Sequence, residues 1–403
     1  MATIDDTHRS RQMAFLSLGF RPFFLFGALY AALLVALWVP WFLGLIAVPS
    51  AFPPVAWHAH ELLFGFVPAI IAGFLLTAVP NWTGRAPVVG SGLALLLFVW
   101  LLGRFSIAFS EHLDPRATAA ISVAFPILLA AVIGREIIAA RNWRNLKIVV
   151  VLCGIAIADG LFHYEIFVFG RTKFSHTGAL ALVLLLVMIV AGRIIPLFTT
   201  NWLLQNRSAG GILPVSFSRG DVASMLLSGA ALVAWVFLPF YDEVAWGISV
   251  AGGTLVVAGI ANLGRQMRWV PQRTLAEPLL AILHVAYAFV GIGFILTGLG
   301  VLWDDAGFAS AGLHAWTTGA LSTMMIAVMT RVSRGHTGRR LTAPWSTVVL
   351  YAAMLVAALS RITVSLAPEH TMVLLPLSGA AWVVAFGGFA VLYGPMLARP
   401  RVA

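Results

Sequence analysis

The residues of this chain best equipped for chemistry are its histidines. W-H-A-H-E at 57–61 sets His58 and His60 beside Glu61, and D-G-L-F-H-Y-E at 159–165 sets His163 between Asp159 and Glu165. His176 and His314 each stand near the start of a long apolar stretch, and His284 lies inside one. A neutral imidazole binds copper, iron or zinc through a ring nitrogen. At about 100° per helical residue, His58 and Glu61 share a face and His60 points elsewhere. The two histidines then serve different partners, or one supports a metal held by the other. Asp159 and His163 are one turn apart on one face, so the carboxylate is placed to orient the imidazole. Glu165 is open to three readings: ligand, proton carrier or solvated helix end. The single cysteine, Cys153, excludes a disulfide framework, a Cys-based zinc site and an iron–sulfur cluster held by this chain alone.

The elements that must position these residues follow from composition. Of the 403 residues 61% are apolar and only 10% charged, with mean hydropathy +0.96. Soluble domains carry about 25% charged residues, so a soluble enzyme is excluded, and so is a disordered chain. Apolar stretches long enough to cross a bilayer as helices, roughly 20 residues each, recur from end to end. They are expected near 22–43, 57–79, 88–109, 117–139, 146–168, 176–198, 221–240, 244–264, 276–298, 312–331, 344–366 and 372–396. The chain reads as one twelve-helix, all-α transmembrane domain. No cleavage site follows the first apolar run, so that run is expected to be a span and not a removed signal.

Loop charge orients the bundle. With the N-terminus in the cytoplasm, 19 of the 25 Lys and Arg fall inside, among them Arg9, Arg11 and Arg207. Five fall outside (Arg104, Arg116, Arg171, Lys173, Arg361), and Arg193 lies within a span. Both termini are therefore expected to be cytoplasmic. The net charge of +10 is a membrane-topology signature, and nucleic-acid binding is not expected. In this orientation His58, His60, His163, His176 and His314 gather at the outer ends of their spans, a costly arrangement that points to a shared site.

An internal repeat reinforces this expectation. Aligning His60, His176 and His314 brings a small residue into register five positions on (Gly65, Ala181, Gly319) and threonine 23 positions on (Thr83, Thr199, Thr337). The pattern suggests three four-helix units, near 1–140, 141–265 and 266–403. Met324, Met325 and Met329 read as packing residues, and the exit T-R-V-S-R-G-H-T-G-R at 330–339 as an anchor at the inner interface.

These segments resemble NnrS, a family of bacterial polytopic membrane proteins. The similarity runs through L-G-F-R-P-F-F-L (18–25), W-H-A-H-E-x-x-F-G-F (57–66), G-F-L-L-T-A-V-P-N-W-T-G (73–84), A-G-R-I-I-P-L-F-T-T-N (191–201), H-A-W-T-x-G-A (314–320) and M-T-R-V-S-R-G-H-T-G-R (329–339). It implies a haem- and copper-containing inner-membrane protein tied to nitric oxide metabolism and nitrosative stress. The three-unit layout also looks like the catalytic subunit of haem–copper oxidases and nitric oxide reductases. The likeness is one of fold alone, and the tenth helix here lacks a paired H-x-H.

The expectation that follows is an oxidoreductase that takes up nitric oxide and receives electrons from a separate donor. His60 and His314 are expected as haem ligands, with His284 in reserve, and Arg171 and Lys173 as partners of haem propionates. His58, His163 and His176 are expected to bind copper, with zinc the competing metal. Glu61, Asp159 and Glu165 would orient ligands or carry protons. The alternatives are a non-catalytic nitric oxide binder or sensor, and a secondary transporter built from repeats.

Overall fold

The computed structural model describes residues 14–206, 211–240 and 245–402, and among them there is no strand. Arg9, Arg11 and Arg207, counted in the loop charge, lie outside the described residues, as does residue 244, the expected start of the eighth helix. The helices are α1 (Phe20–Phe42), α2 (Pro54–Thr83), α3 (Gly90–Ala108), α4 (Pro115–Ala139), α5 (Leu146–Phe169), α6 (Ser175–Gln205), α7 (Arg219–Val236), α8 (Ala245–Met267), α9 (Pro278–Trp303), α10 (306–336), α11 (Trp345–Leu366) and α12 (Thr371–Leu397). Among the described residues, eleven of them are each long and apolar enough to span a bilayer. The other, α10, is an unbroken helical run that changes its winding midway. The chain is an all-helical, multi-pass membrane protein.

Polar residues at the ends explain where the helices start and stop. Asp114 accepts hydrogen bonds from the amides of Arg116 and Ala117 and opens α4. Asp305 does the same for Gly307 and Phe308, which starts α10 six residues before the apolar run alone would suggest. Ser218 and Asp221 form a reciprocal capping box on α7. Gly84 and Gly170 end α2 and α5 with φ of 69° and 67°, a conformation that only glycine adopts at no cost.

Two helices carry a π-helical segment, Glu61–Phe66 in α2 and Ala315–Ser322 in α10. Each begins directly after one of the aligned histidines, His60 and His314, and each contains the glycine five residues further on. Such segments insert an extra residue into the winding and frequently mark functional sites.

By its internal contacts the chain forms two compact units. The first comprises Met1–Leu182, Met329–Leu341 and Phe386–Ala403; the second comprises Val183–Val328 and Thr342–Ala385. In the first, α1 packs on α2, α2 and α3 on α4, and α4 on α5. In the second, α8 and α9 meet along a glycine seam. A Cβ built on Gly259 would lie 2.6 Å from the Gly291 carbonyl oxygen, and one on Gly298 would lie 2.7 Å from that of Gly252. Close backbone approach of this kind drives helix association in lipid. Gly259→Val is therefore expected to lower stability by about 1–3 kcal/mol through overpacking. Gly253→Ala, whose new methyl meets nothing within 4 Å, should leave the melting midpoint of the detergent-solubilised protein unchanged. Equal midpoints for the two variants would contradict the seam.

Candidate metal centre

Five helices of the first unit each send a polar side chain to one buried point: Tyr30 from α1, His60 and Glu61 from α2, Arg104 from α3, Ser122 from α4, and Asp159 and His163 from α5. His60 stands between two carboxylates. Its Nδ1 lies 2.7 Å from Glu61 Oε1 and its Nε2 lies 3.0 Å from Asp159 Oδ1. Asp159 also accepts from the Ser122 hydroxyl at 3.2 Å. One turn along α5, His163 Nε2 is 3.6 Å from the same Asp159 oxygen. That nitrogen is buried and makes no hydrogen bond. The two imidazole rings are 5.1 Å apart, centre to centre. One ligand atom from each of His60, Asp159 and His163 lies within 4.8 Å of the others, close enough for all three to hold a single ion.

Glu61 is fixed by two further groups. Arg104 Nη1 donates to its Oε1 at 2.5 Å, and the Tyr30 hydroxyl donates to Oε2. The guanidinium fits because position 65, inside the π segment, is glycine: a Cβ there would come within 2.5 Å of Arg104 Nη1. The Gly65 carbonyl accepts from Trp100 Nε1 at 2.9 Å. Phe52, Phe64 and Phe162 wall the His60 ring, with centroids 5.5, 5.3 and 5.1 Å away.

The charges do not close among these side chains. Two carboxylates face one guanidinium, and His60, Glu61 and Asp159 are fully buried. A net negative charge inside a span is costly, so the cluster favours one further cation or proton. His163 also lines a crevice of about 630 Å³ with Phe52, Ser110, Thr118, Gly160 and Phe167. A small uncharged molecule entering that crevice meets the histidine.

The other expected site residues lie elsewhere. His58 stacks on Trp38 with ring centres 3.9 Å apart, outside the three-residue group. His176, in the first turn of α6, has a buried Nδ1 with no hydrogen-bond partner. Glu165 accepts from the amides of Lys173, Phe174 and Ser175 and from the Ser175 hydroxyl. Its carboxylate thus caps the start of α6, where the helix dipole also favours it. Lys173 Nζ sits 4.2 Å over the Phe169 ring, and Arg171 is exposed.

His314 and His284 belong to the second unit. His314 Nδ1 lies 2.7 Å from the Ser310 carbonyl oxygen. A carbonyl can only accept, so Nδ1 carries the proton and Nε2 is left with its lone pair for a ligand. His284 Nε2 is 3.1 Å from the Thr199 hydroxyl, and its Nδ1 is buried with no hydrogen-bond partner.

Three members of the cluster escaped the sequence reading: Tyr30, Arg104 and Ser122. Arg104 left a signal, since an arginine in the last turns of an apolar span requires a buried partner. By position alone it counts with the outer loop charges. Tyr30 and Ser122 left none, because nothing local separates them from packing residues.

Among curated proteins the comparison finds no match for this chain. The family model of the NnrS protein matches residues 14–401, which takes in every helix of the bundle and every residue of the cluster. On that match the chain belongs to the NnrS family.

Proposed function

We propose that this protein is a redox protein of the bacterial inner membrane, with both termini cytoplasmic, that binds copper and haem and acts on nitric oxide. The observation that carries the reading is the His60–Asp159–His163 group inside a pair of spans, with an unpartnered imidazole nitrogen and a surplus negative charge. Two imidazoles and a carboxylate, with no thiolate, suit copper, and zinc competes for the same donors. Bound copper would supply one-electron chemistry. His60, His163 and Asp159 would hold it, and its positive charge would offset the second carboxylate. Arg104 and Tyr30 keep Glu61 against His60 Nδ1, which fixes the orientation of that ring. The crevice beside His163, lined mostly by apolar residues, gives an uncharged diatomic molecule a way to the site.

His314 suits the haem. Its proton is held on Nδ1 by the Ser310 carbonyl, which leaves the Nε2 lone pair with which His314 would hold the haem iron. The reaction that fits a haem–copper protein of this family is the reduction of two nitric oxide molecules to nitrous oxide and water. It consumes two electrons and two protons, the electrons coming from an external donor.

The test is anaerobic incubation of the purified full-length protein with an electron donor and nitric oxide. The reading predicts a haem absorption band, copper by metal analysis and nitrous oxide in the headspace. His314→Ala should lose the haem band and keep its copper. A haem band that shifts with nitric oxide but yields no nitrous oxide would leave a binder or sensor. Absence of both haem and copper would favour a transporter.

A further inference from the structure

A second polar site lies in the first unit, built from the L-G-F-R and R-G-H-T-G-R segments that the metal centre does not use. Arg21 stands in the first turn of α1 and is only 3% exposed. Its Nη1 donates to the carbonyl oxygens of Leu397 and Arg399 at 2.8 and 2.5 Å, which caps the C-terminal end of α12. Its Nε is buried and has no hydrogen-bond partner. Among the described residues Arg21 forms no ion pair with a carboxylate. The His336 ring, at the end of α10, packs on Phe20 at 5.6 Å. The tail beyond α12 is tied down by the Val402 amide, which donates to the Thr337 carbonyl at 3.1 Å.

Together these segments form an open cavity of about 370 Å³ lined by Ser17, Leu18, Arg21, His336, Pro400 and Arg401. Two guanidinium groups and an imidazole face it, and no described lining residue is acidic. A buried guanidinium with a free N–H and no countercharge is poorly satisfied by water alone. The forked N–H donors of arginine match the oxygens of a phosphate.

We infer that this cavity binds a phosphate group, presented by the headgroup of an anionic phospholipid or as free phosphate. Basic pockets between spans on the cytoplasmic side hold headgroups of this kind, and the cavity lies on that side in the orientation the loop charges imply. The site is independent of the metal centre, and substitutions here should leave copper and haem content unchanged.

Two arms of one experiment test this on the full-length protein purified in a neutral detergent. In the first, phosphatidylglycerol or phosphatidylcholine is added in phosphate-free buffer, and retained lipid is counted by native mass spectrometry. In the second, inorganic phosphate is titrated without lipid against chloride of equal ionic strength, and the melting midpoint is followed. A preference for phosphatidylglycerol over phosphatidylcholine supports a headgroup as the source. A rise in midpoint with inorganic phosphate supports the free anion. In either case Arg401→Ala should weaken binding about fivefold, the effect of one basic contact near a membrane surface, and Arg401→Lys should restore most of it. Arg401 is exposed on the tail, so its loss does not endanger folding. The inference is overturned if neither ligand is preferred, or if the Arg401→Ala/His336→Gln double variant binds as the unmodified protein does.

Discussion

Replacing Arg104 by methionine is expected to cost about 3–5 kcal/mol of stability, the penalty for breaking a buried ion pair by removing one partner. Arg104 is 4% exposed and Glu61 fully buried, so neither can turn to water when the other is lost. Glu61 would keep the Tyr30 hydroxyl and the His60 ring but no cation, beside a second buried carboxylate, Asp159. The cost arises from the stranded charge more than from the lost contact. It follows that Arg104→Met/Glu61→Gln should recover most of the loss, because the neutral amide leaves nothing uncompensated. Chemical unfolding in detergent of the two single variants and the double measures the coupling directly. A double variant no more stable than Arg104→Met would mean that the guanidinium acts through packing alone.

The second large effect concerns the metal. Asp159→Asn changes no volume and can keep the hydrogen bond with Ser122, but it removes the charge that two histidines face. Copper affinity should fall by at least about 10- to 100-fold, the range measured on losing even an outer partner of a metal ligand. His163→Ala should lose the metal altogether, since it deletes the nitrogen that has no other partner. His58→Gln should retain copper, because that ring stacks on Trp38. Copper titration of the apoprotein, with competition by a chelator, reads all three. If Asp159→Asn binds as tightly as the unmodified protein, the carboxylate is not a ligand.

How much of this was legible beforehand differs between fold and site. The helices were legible because a bilayer demands long apolar runs, and the starts and ends of α4 and α5 fall within two residues of those expected. The misplaced ends have local causes. The start of α10 depends on the Asp305 cap, which stands in a polar stretch. α6 continues to Gln205, past Pro196, where apolar content no longer marks it.

At the site, W-H-A-H-E and D-G-L-F-H-Y-E stood out as places where imidazole and carboxylate meet. Which groups meet was hidden for two reasons. Helix-face reasoning assumes α winding, and a π segment begins at Glu61. The carboxylate that should have shared a face with His58 instead lies against His60. The second reason is distance along the chain: His60 meets Asp159 across 99 positions, and Arg104 meets Glu61 across 43. Periodicity within one helix carries no information about either. Glu165 shows the same limit, since all three amides that it caps lie in the next connection and helix.

One measurement decides whether His60, Asp159 and His163 together hold one copper ion. It is X-ray absorption at the copper edge, with metal analysis on the same full-length samples. The expected result is a copper site with imidazole scattering in the unmodified protein, and loss of both that signal and the bound copper in His60→Ala/His163→Ala, with the haem band retained. Copper kept at full stoichiometry with unchanged imidazole scattering in that double variant would contradict it.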